Sequence, residues 1–430
     1  MNYKETLEKC GIAIPEVLLP NKSVSLEDWS VVACDQFSSD ISYWDKITSQ
    51  TAGKASTFNL ILPECYLNES ETRVPQINQK MLDYLSDGTL ESAGYGFIYL
   101  ERSTPCASSR KGLVVALDLE AYSYEEGANA QIRPTEGTVL ERLPVRAEIR
   151  KNAALDIPHI LVLMDDSEFK LFNYLEQKRD SFQTVYDFDL ADNAGHLKGS
   201  MVSNPDDLES LSQIFNDLNS QSEFLFAVGD GNHSLAAAKQ LWNKIKSEGG
   251  DLHHPARYAL VELENIHDPG VRFEPIHRVL FDCSTTDFKA DFLAYPGTKI
   301  QKIDTFDKLV TKVNQFDISG KFALGMISAE GYAILEIEDQ KAALASEAFH
   351  SFLDPWLKLE KCSEIDYIHG DSVLQNLGEQ QGNIGFYLAG VNKKTFFQFI
   401  NTIGPMPRKT FSIGDAEEKR YYLECRKLIP

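Results

Sequence analysis

Short apolar runs bounded by turn formers alternate along this chain with stretches whose apolar residues recur at helical spacing. In the first 125 residues the pattern predicts a helix over 76–85 and strands over 95–100 and 112–119. The polar segment 102–111 joins the two strands as a hairpin with a long loop. A charged helical stretch is expected over 138–143, and a second one after Pro144 through Lys151. A buried strand over 160–164, a strand over 182–190 and an amphipathic helix over 206–218 follow.

Residues 224–228 form a fully apolar strand that runs straight into a glycine turn. Beyond that turn Leu235, Ala238, Leu241, Trp242 and Ile245 share one helix face, Gly249 and Gly250 close the helix, and residues 258–263 read as another strand. The order strand, turn, helix, strand predicts a βαβ unit with parallel neighbours. Further on, 322–327 and 332–337 flank Glu330 and Gly331 as a hairpin, and 365–368 is a strand before the polar turn at His369, Gly370 and Asp371. The chain has no internal repeat. The pattern predicts a mixed α+β protein with an N-terminal region over 1–125, a central region over 126–285 and a C-terminal region over 286–430.

Charge narrows the function classes. Against 42 Lys and Arg stand 64 Asp and Glu, a formal net charge of −22, with no basic run to offset it. Such a chain repels a phosphate backbone and an anionic leaflet, so neither a nucleic-acid nor a membrane role is expected. The longest apolar runs are strand-sized, far short of the roughly 20 residues of a membrane helix. The first ten residues lack the apolar stretch of a secretory signal, and a cytoplasmic protein is expected. Seven cysteines without a CxxC pair indicate reduced thiols rather than a disulfide framework or zinc knuckle. Cys34 and Cys425 sit in the most polar sequence surroundings.

The chemistry concentrates in three clusters. In the first, Asp230, Gly231, Asn232, His233 and Ser234 follow an apolar strand and open a helix. Glycine permits the backbone to turn amides toward an anion, and His233 and Ser234 add donors there. Asp230 would repel phosphate unless it holds a metal such as Mg²⁺, takes a proton or braces the loop. Ordinary turn and cap chemistry accounts for the same residues, but the carboxyl end of a strand is where open α/β sheets place ligands. In the second cluster, Arg133 is a candidate clamp for phosphate or carboxylate and Glu136 a candidate general base. Arg142, Arg146 and Arg150 line up behind them, or form a solvated face paired with Glu141 and Glu148. The third contains Glu262, Glu264, His267 and Asp268, then Glu274, His277 and Arg278. Its spacing fits no zinc signature; structural ion pairing is the alternative to Mg²⁺ binding, and His277 with Arg278 can contact an anion. Arg408 lies in a basic loop near Lys409.

Seven stretches together resemble a bacterial and archaeal family known as domain of unknown function 1015. They are VACDQF at 32–37, RPTEGTVLERL at 133–143, DGNHS at 230–234, NIHDP at 265–269, EPIHR at 274–278, DYIHG at 366–370 and PRKTF at 407–411. The turn and helix at 230–238 more remotely resemble the phosphate-binding motif of the ParB and sulfiredoxin superfamily. That superfamily includes free serine kinases with a DGHHR-type motif. Ser234 stands where those relatives carry arginine, so a charge is missing or comes from elsewhere; Arg133, Arg257, Arg278 and Arg408 are the candidates.

The resemblance implies a central ParB-like phosphate-binding unit and a kinase-type phosphotransferase using ATP or ADP and Mg²⁺ on a small hydroxylated metabolite, serine or O-phosphoserine before others. Gly231 to Ser234 and His233 would hold phosphates, Asp230 the metal, and Arg133, His277, Arg278 and Arg408 the substrate's charge. A phosphatase or nucleotidase using the same turn, or a nucleotide-sensing binding protein, are the alternatives.

Overall fold

A computed structural model gives the fold and describes residues 2–37, 40–125, 127–138 and 143–429, without the side chains of Asp35 and Val145. The protein is mixed α+β and divides into two units. The first comprises residues 1–272, 397–405 and 416–430, the second residues 273–396 and 406–415.

The first unit opens with β1 (Ile12–Ala13), β2 (Glu16–Pro20) and β3 (Leu90–Tyr95), of which β2 and β3 pair as a small separate ladder. Next come β4 (Phe97–Ser103) and β5 (Arg110–Asp118), an antiparallel pair in which Ile98 faces Val114, as the hairpin pattern predicts. The rest are β6 (Ile132–Pro134), β7 (Leu155–Asp156), β8 (Leu161–Met164), β9 (Gln183–Asp189), β10 (His196–Val202), β11 (Phe226–Asp230) and β12 (Tyr258–Asn265). The main sheet has nine strands in the order β6-β11-β8-β12-β5-β4-β10-β9, with β1 alongside β5.

Alternation along β5 explains how both faces of this sheet are buried. Leu113, Val115 and Leu117 point into one core with Leu171, Leu211, Phe215, Leu235 and Trp242, which come from helices Lys170–Lys178, Pro205–Gln221 and Asn232–Ser247. Val114 points into the other, with Trp29, Met81, Tyr84 and Leu423. A strand covered on both faces reads as a continuous apolar run, as β8 and β11 do. The helix predicted over 76–85 is Ser70–Ser86, and the one predicted after Pro144 is Leu143–Lys151. The stretch expected over 138–143 falls on 139–142, with Glu141 and Arg142, outside the described residues.

The βαβ expectation is corrected. β8 lies between β11 and β12, antiparallel to the first and parallel to the second, so β11 and β12 run in opposite directions. The link 248–257 permits this: at roughly 3.3 Å per residue it reaches up to about 30 Å, far enough to carry the chain along the sheet before β12 begins. β12 then pairs antiparallel with β5 from Tyr258 opposite Asp118 to Glu264 opposite Gly112.

The second unit holds β13 (Phe273–Phe281), β14 (Thr298–Ile303), β15 (Lys321–Ser328), β16 (Gly331–Glu338), β17 (Glu364–His369), β18 (Ile384–Tyr387) and β19 (Phe411–Ile413). They make a seven-stranded sheet in the order β14-β16-β15-β18-β13-β17, with β19 beside β13. β15 and β16 form the predicted hairpin, closing with Ser328 opposite Gly331. Leu324 and Met326 face a core rich in phenylalanine, and Ala323 and Ile327 face another with Leu309 and Leu374. Back in the first unit, β20 (Arg426–Lys427) pairs antiparallel with β7. No helix among the described residues is long and apolar enough to cross a membrane.

Candidate functional site

β11 ends at Asp230, and Gly231 turns the chain into the helix Asn232–Ser247 with φ 83° and ψ 24°. That left-handed conformation is the reason for glycine. A Cβ there would also lie 2.9 Å from Cγ1 and 3.2 Å from Cα of Ile160. The helix makes its first i→i−4 bond from the Leu235 N–H to the Gly231 carbonyl at 3.0 Å. The amides of residues 232–234 precede that bond, at the positive end of the helix dipole.

Asn232 does not face a ligand with its side chain. It is buried, its Oδ1 accepts from the Thr135 N–H at 3.1 Å, and its Nδ2 donates to Thr135 Oγ1 and the Val228 carbonyl, both at 3.3 Å. These bonds tie the end of β6 to the end of β11. The two strands run parallel with Pro134 opposite Val228, so Thr135 and Glu136 emerge at the same sheet end as Asp230. Glu136 and His233 are both half-buried there.

Three residues that sequence reasoning missed join this end of the sheet. His159 precedes β8, whose Leu161 is opposite Asp230. Its Nε2 is 3.0 Å from Ser234 Oγ and its Nδ1 is 2.7 Å from the Tyr422 hydroxyl. Burial holds His159 below the ordinary imidazole range, while Asp230 pulls upward and Arg146 reinforces the depression. Burial, with Asp230 nearby, raises the Tyr422 phenol far above its usual value. Tyr422 itself is fixed by a backbone bond from its N–H to the Val31 carbonyl at 2.8 Å, which brings the segment 32–37 alongside. Lys419 is 5% exposed and reaches Asp230 Oδ2 at 3.2 Å. Arg102 holds its backbone in place, donating through Nη1 to the carbonyls of Glu418 and Lys419 at 3.0 and 2.8 Å. The one cue in the sequence was Lys419, Arg420, Tyr421 and Tyr422, a basic and aromatic run in an acidic chain.

Asp230 therefore has both oxygens engaged, Oδ1 by the Gly231 N–H at 2.8 Å and Oδ2 by Lys419. That arrangement does not fit a Mg²⁺ ligand, which needs an oxygen clear of an ammonium group. It is a loop brace that holds a buried cation beside the helix N-terminus.

The other predicted residues have partners of their own. Arg133 donates to the Ala130 carbonyl at 2.9 Å, Asn401 Oδ1 at 2.9 Å and Asn129 Oδ1 at 2.7 Å, and its guanidinium lies 4.5 Å over the Phe224 ring. Arg146 pairs with Glu64, and Arg150 with Asp156 at 2.7 Å. Arg257 is clamped on Asp118. His277, Arg278 and Arg408 belong to the second unit. His277 is fully buried, accepts from the Leu388 N–H at 3.2 Å through Nδ1 and faces Asp371 Oδ1 at 3.1 Å through Nε2. Arg278 is fully buried against Tyr367 and His350, and desolvation brings it down to about 10. Arg408 is exposed in a turn.

The acidic pair at the end of β12 is structural. Glu262 and Glu264 are buried and ion-paired, with Arg420 Nε at 3.0 Å and Arg110 Nε at 2.8 Å. Burial pushes Glu264 up to about 8, against the pull of Arg110. Cys425, polar in its sequence setting, is fully buried, and burial raises its thiol well above the usual range.

Gly231→Ala tests the turn. The left-handed backbone costs a Cβ about 1–2 kcal/mol, and the contact with Ile160 adds to it. The variant is expected to unfold at lower urea and to weaken any anion held by the helix amides. Unchanged stability and binding would show that the turn relaxes without consequence.

No curated protein matches this sequence. Similar solved structures include a free serine kinase in complex with AMP, at TM-score 0.40 and 10% identity, covering 73% of this chain and 92% of that one. Another is a conserved hypothetical protein from Pyrococcus furiosus, at TM-score 0.36 and 12% identity, covering 72% and 90%. A third is SbnI with a C-terminal truncation from Staphylococcus aureus, at TM-score 0.36 and 10% identity, covering 70% and 82%. The family model described as "Protein of unknown function (DUF1015)" matches residues 17–359, a span that takes in the glycine turn, β6 and His159, and the chain belongs to that family.

Proposed function

We propose that the turn at Asp230 to Ser234 is the phosphate-holding half of an ATP- or ADP-linked phosphotransferase for a small hydroxylated metabolite, with serine or O-phosphoserine the first to try. What supports this reading is that the first amides of the helix Asn232–Ser247, the buried Lys419 bound to Asp230, and the chain at Glu136 just past β6 lie at one sheet end. Phosphoryl transfer needs little covalent help from a protein; it needs positioning and electrostatic support. The amides of residues 232–234 and the His233 imidazole hold the terminal phosphoryl oxygens. Lys419 supplies the positive charge that the resemblance would assign to an arginine at position 234, and Asp230 keeps it in place. Glu136 accepts the acceptor's hydroxyl proton as its oxygen bonds to phosphorus and the bond to the nucleotide breaks.

The test is thermal unfolding of the full chain with ATP, ADP, serine and O-phosphoserine, with and without Mg²⁺, followed by turnover assays on whatever binds. A ligand at about 100 times its Kd stabilises by roughly 2.7 kcal/mol, an easily read shift. The expected result is stabilisation by a nucleotide and phosphoryl transfer to a hydroxylated acceptor. Inorganic phosphate release without an acceptor would indicate a phosphatase instead, and binding without turnover a nucleotide sensor. No shift with any of the four ligands would overturn the proposal.

A further inference from the structure

The hydrogen bonds around His159 run in a line from Tyr422 through the imidazole to Ser234. Their direction follows from the partners. Tyr422 is 9% exposed, burial keeps its phenol protonated, and among the described residues the hydroxyl's hydrogen-bond partner is His159 Nδ1 at 2.7 Å. A buried O–H whose partner is a ring nitrogen satisfies itself by donating. Nδ1 is then the lone-pair nitrogen, and the proton of the neutral ring sits on Nε2. That N–H donates to Ser234 Oγ at 3.0 Å. A serine oxygen that receives a hydrogen bond from inside keeps its own proton for a partner elsewhere. Ser234 lies in the first turn of the helix Asn232–Ser247, one residue before the N–H that makes the first i→i−4 bond. Its O–H is thereby available at the N-terminal end of the helix.

We infer that His159 and Tyr422 are positioning residues that turn the Ser234 hydroxyl into an outward donor for a phosphoryl oxygen, through a line of neutral hydrogen bonds. The inference rests on the anion-site reading above and deepens it: the site uses one cation, Lys419, and one neutral donor line, instead of a second cation. The opposite polarity is the alternative chemistry. With the proton on Nδ1, Ser234 would donate inward to Nε2, and the pair would be a hydroxyl beside a base.

Nitrogen-15 NMR of the histidine side chains, on the full-length protein, decides between them, with His159→Gln used to assign the signal. The inference expects a neutral ring with the proton on Nε2. In Tyr422→Phe, which keeps the ring packing, the preference for that tautomer is expected to fall. The second measurement is the affinity for inorganic phosphate in wild type, Ser234→Ala, Tyr422→Phe and the double variant. A hydrogen bond to a charged group is worth enough that each single change should weaken phosphate about tenfold. The double variant should be no weaker than Ser234→Ala, because the phenol acts only through the serine. A proton on Nδ1 in wild type, or additive losses in the double variant, would overturn the inference while leaving the anion site standing. Phosphate failing to bind wild type with the proton still on Nε2 would instead overturn the reading of the site as an anion holder.

Discussion

Arg420→Ala is expected to destabilise the first unit by about 3–5 kcal/mol, as removal of one partner from a buried ion pair does elsewhere. Arg420 is fully buried, with Nε on Glu262 Oε2 at 3.0 Å and Nη2 on Glu424, whose carboxylate also takes the Tyr186 hydroxyl. Burial works against its charge, and Glu424 and Glu262 more than restore it. Truncation leaves two carboxylates in the core without the guanidinium that pairs with both, and neither can reach water without opening the sheet face that Leu423 covers. The backbone has been shaped around this group: a Cβ on Gly112 would sit 2.2 Å from Glu262 Oε1. Urea unfolding is the measurement. Arg420→Met combined with Glu262→Gln and Glu424→Gln should recover most of the loss, because the cost lies in the stranded charge. A loss below about 1 kcal/mol for the single variant would mean that the cluster rehydrates cheaply.

The second large effect concerns chemistry. His233→Ala is expected to lower nucleotide-dependent turnover by about 10²–10³-fold, the usual cost of one preorganised donor in a site where charge develops. His233 is the second residue of its helix and half-buried. The substitution leaves Gly231 and Asn232, which set the turn, in place. The melting temperature should therefore hardly move while kcat falls. Full turnover in this variant would remove His233 from the site, and a parallel collapse of stability would give it a structural role instead.

The local part of the fold was legible in the sequence. β8, β11 and the helix Asn232–Ser247 are marked by apolar period alone, because a strand buried on both faces and a helix with one buried stripe leave different signatures. Gly231 was legible too, since glycine takes the left-handed turn at the least cost. What was not legible is who meets whom. The direction of β12 against β11 depends on the length and path of the link 248–257, about which periodicity says nothing. Lys419, Tyr422 and His159 are recruited through Arg102, Val31 and the end of β8, contacts made across the chain rather than along it. Asn232 illustrates the converse: a polar residue in a functional-looking motif spends its amide on Thr135 and Val228, which is what parallel β6 requires at its end.

The first unit has its closing segment on the far side of another unit in the sequence, and this governs how the protein is made. Leu18 pairs with Cys425, and the Trp29 indole donates to the Leu423 carbonyl at 2.9 Å. Synthesis proceeds from one end at a finite rate, so all of residues 273–396 leave the ribosome before Arg420 does. During that interval β12 exists without the guanidinium that neutralises Glu262, and the Trp29 side of the sheet lacks its cover. The second unit waits as well, since β13 pairs with β17, β18 and β19, and β19 is made only after residues 397–405 of the first unit. Nascent chains arrested short of residue 419 should therefore leave the first unit open, with the glycine turn already synthesised but lacking its lysine.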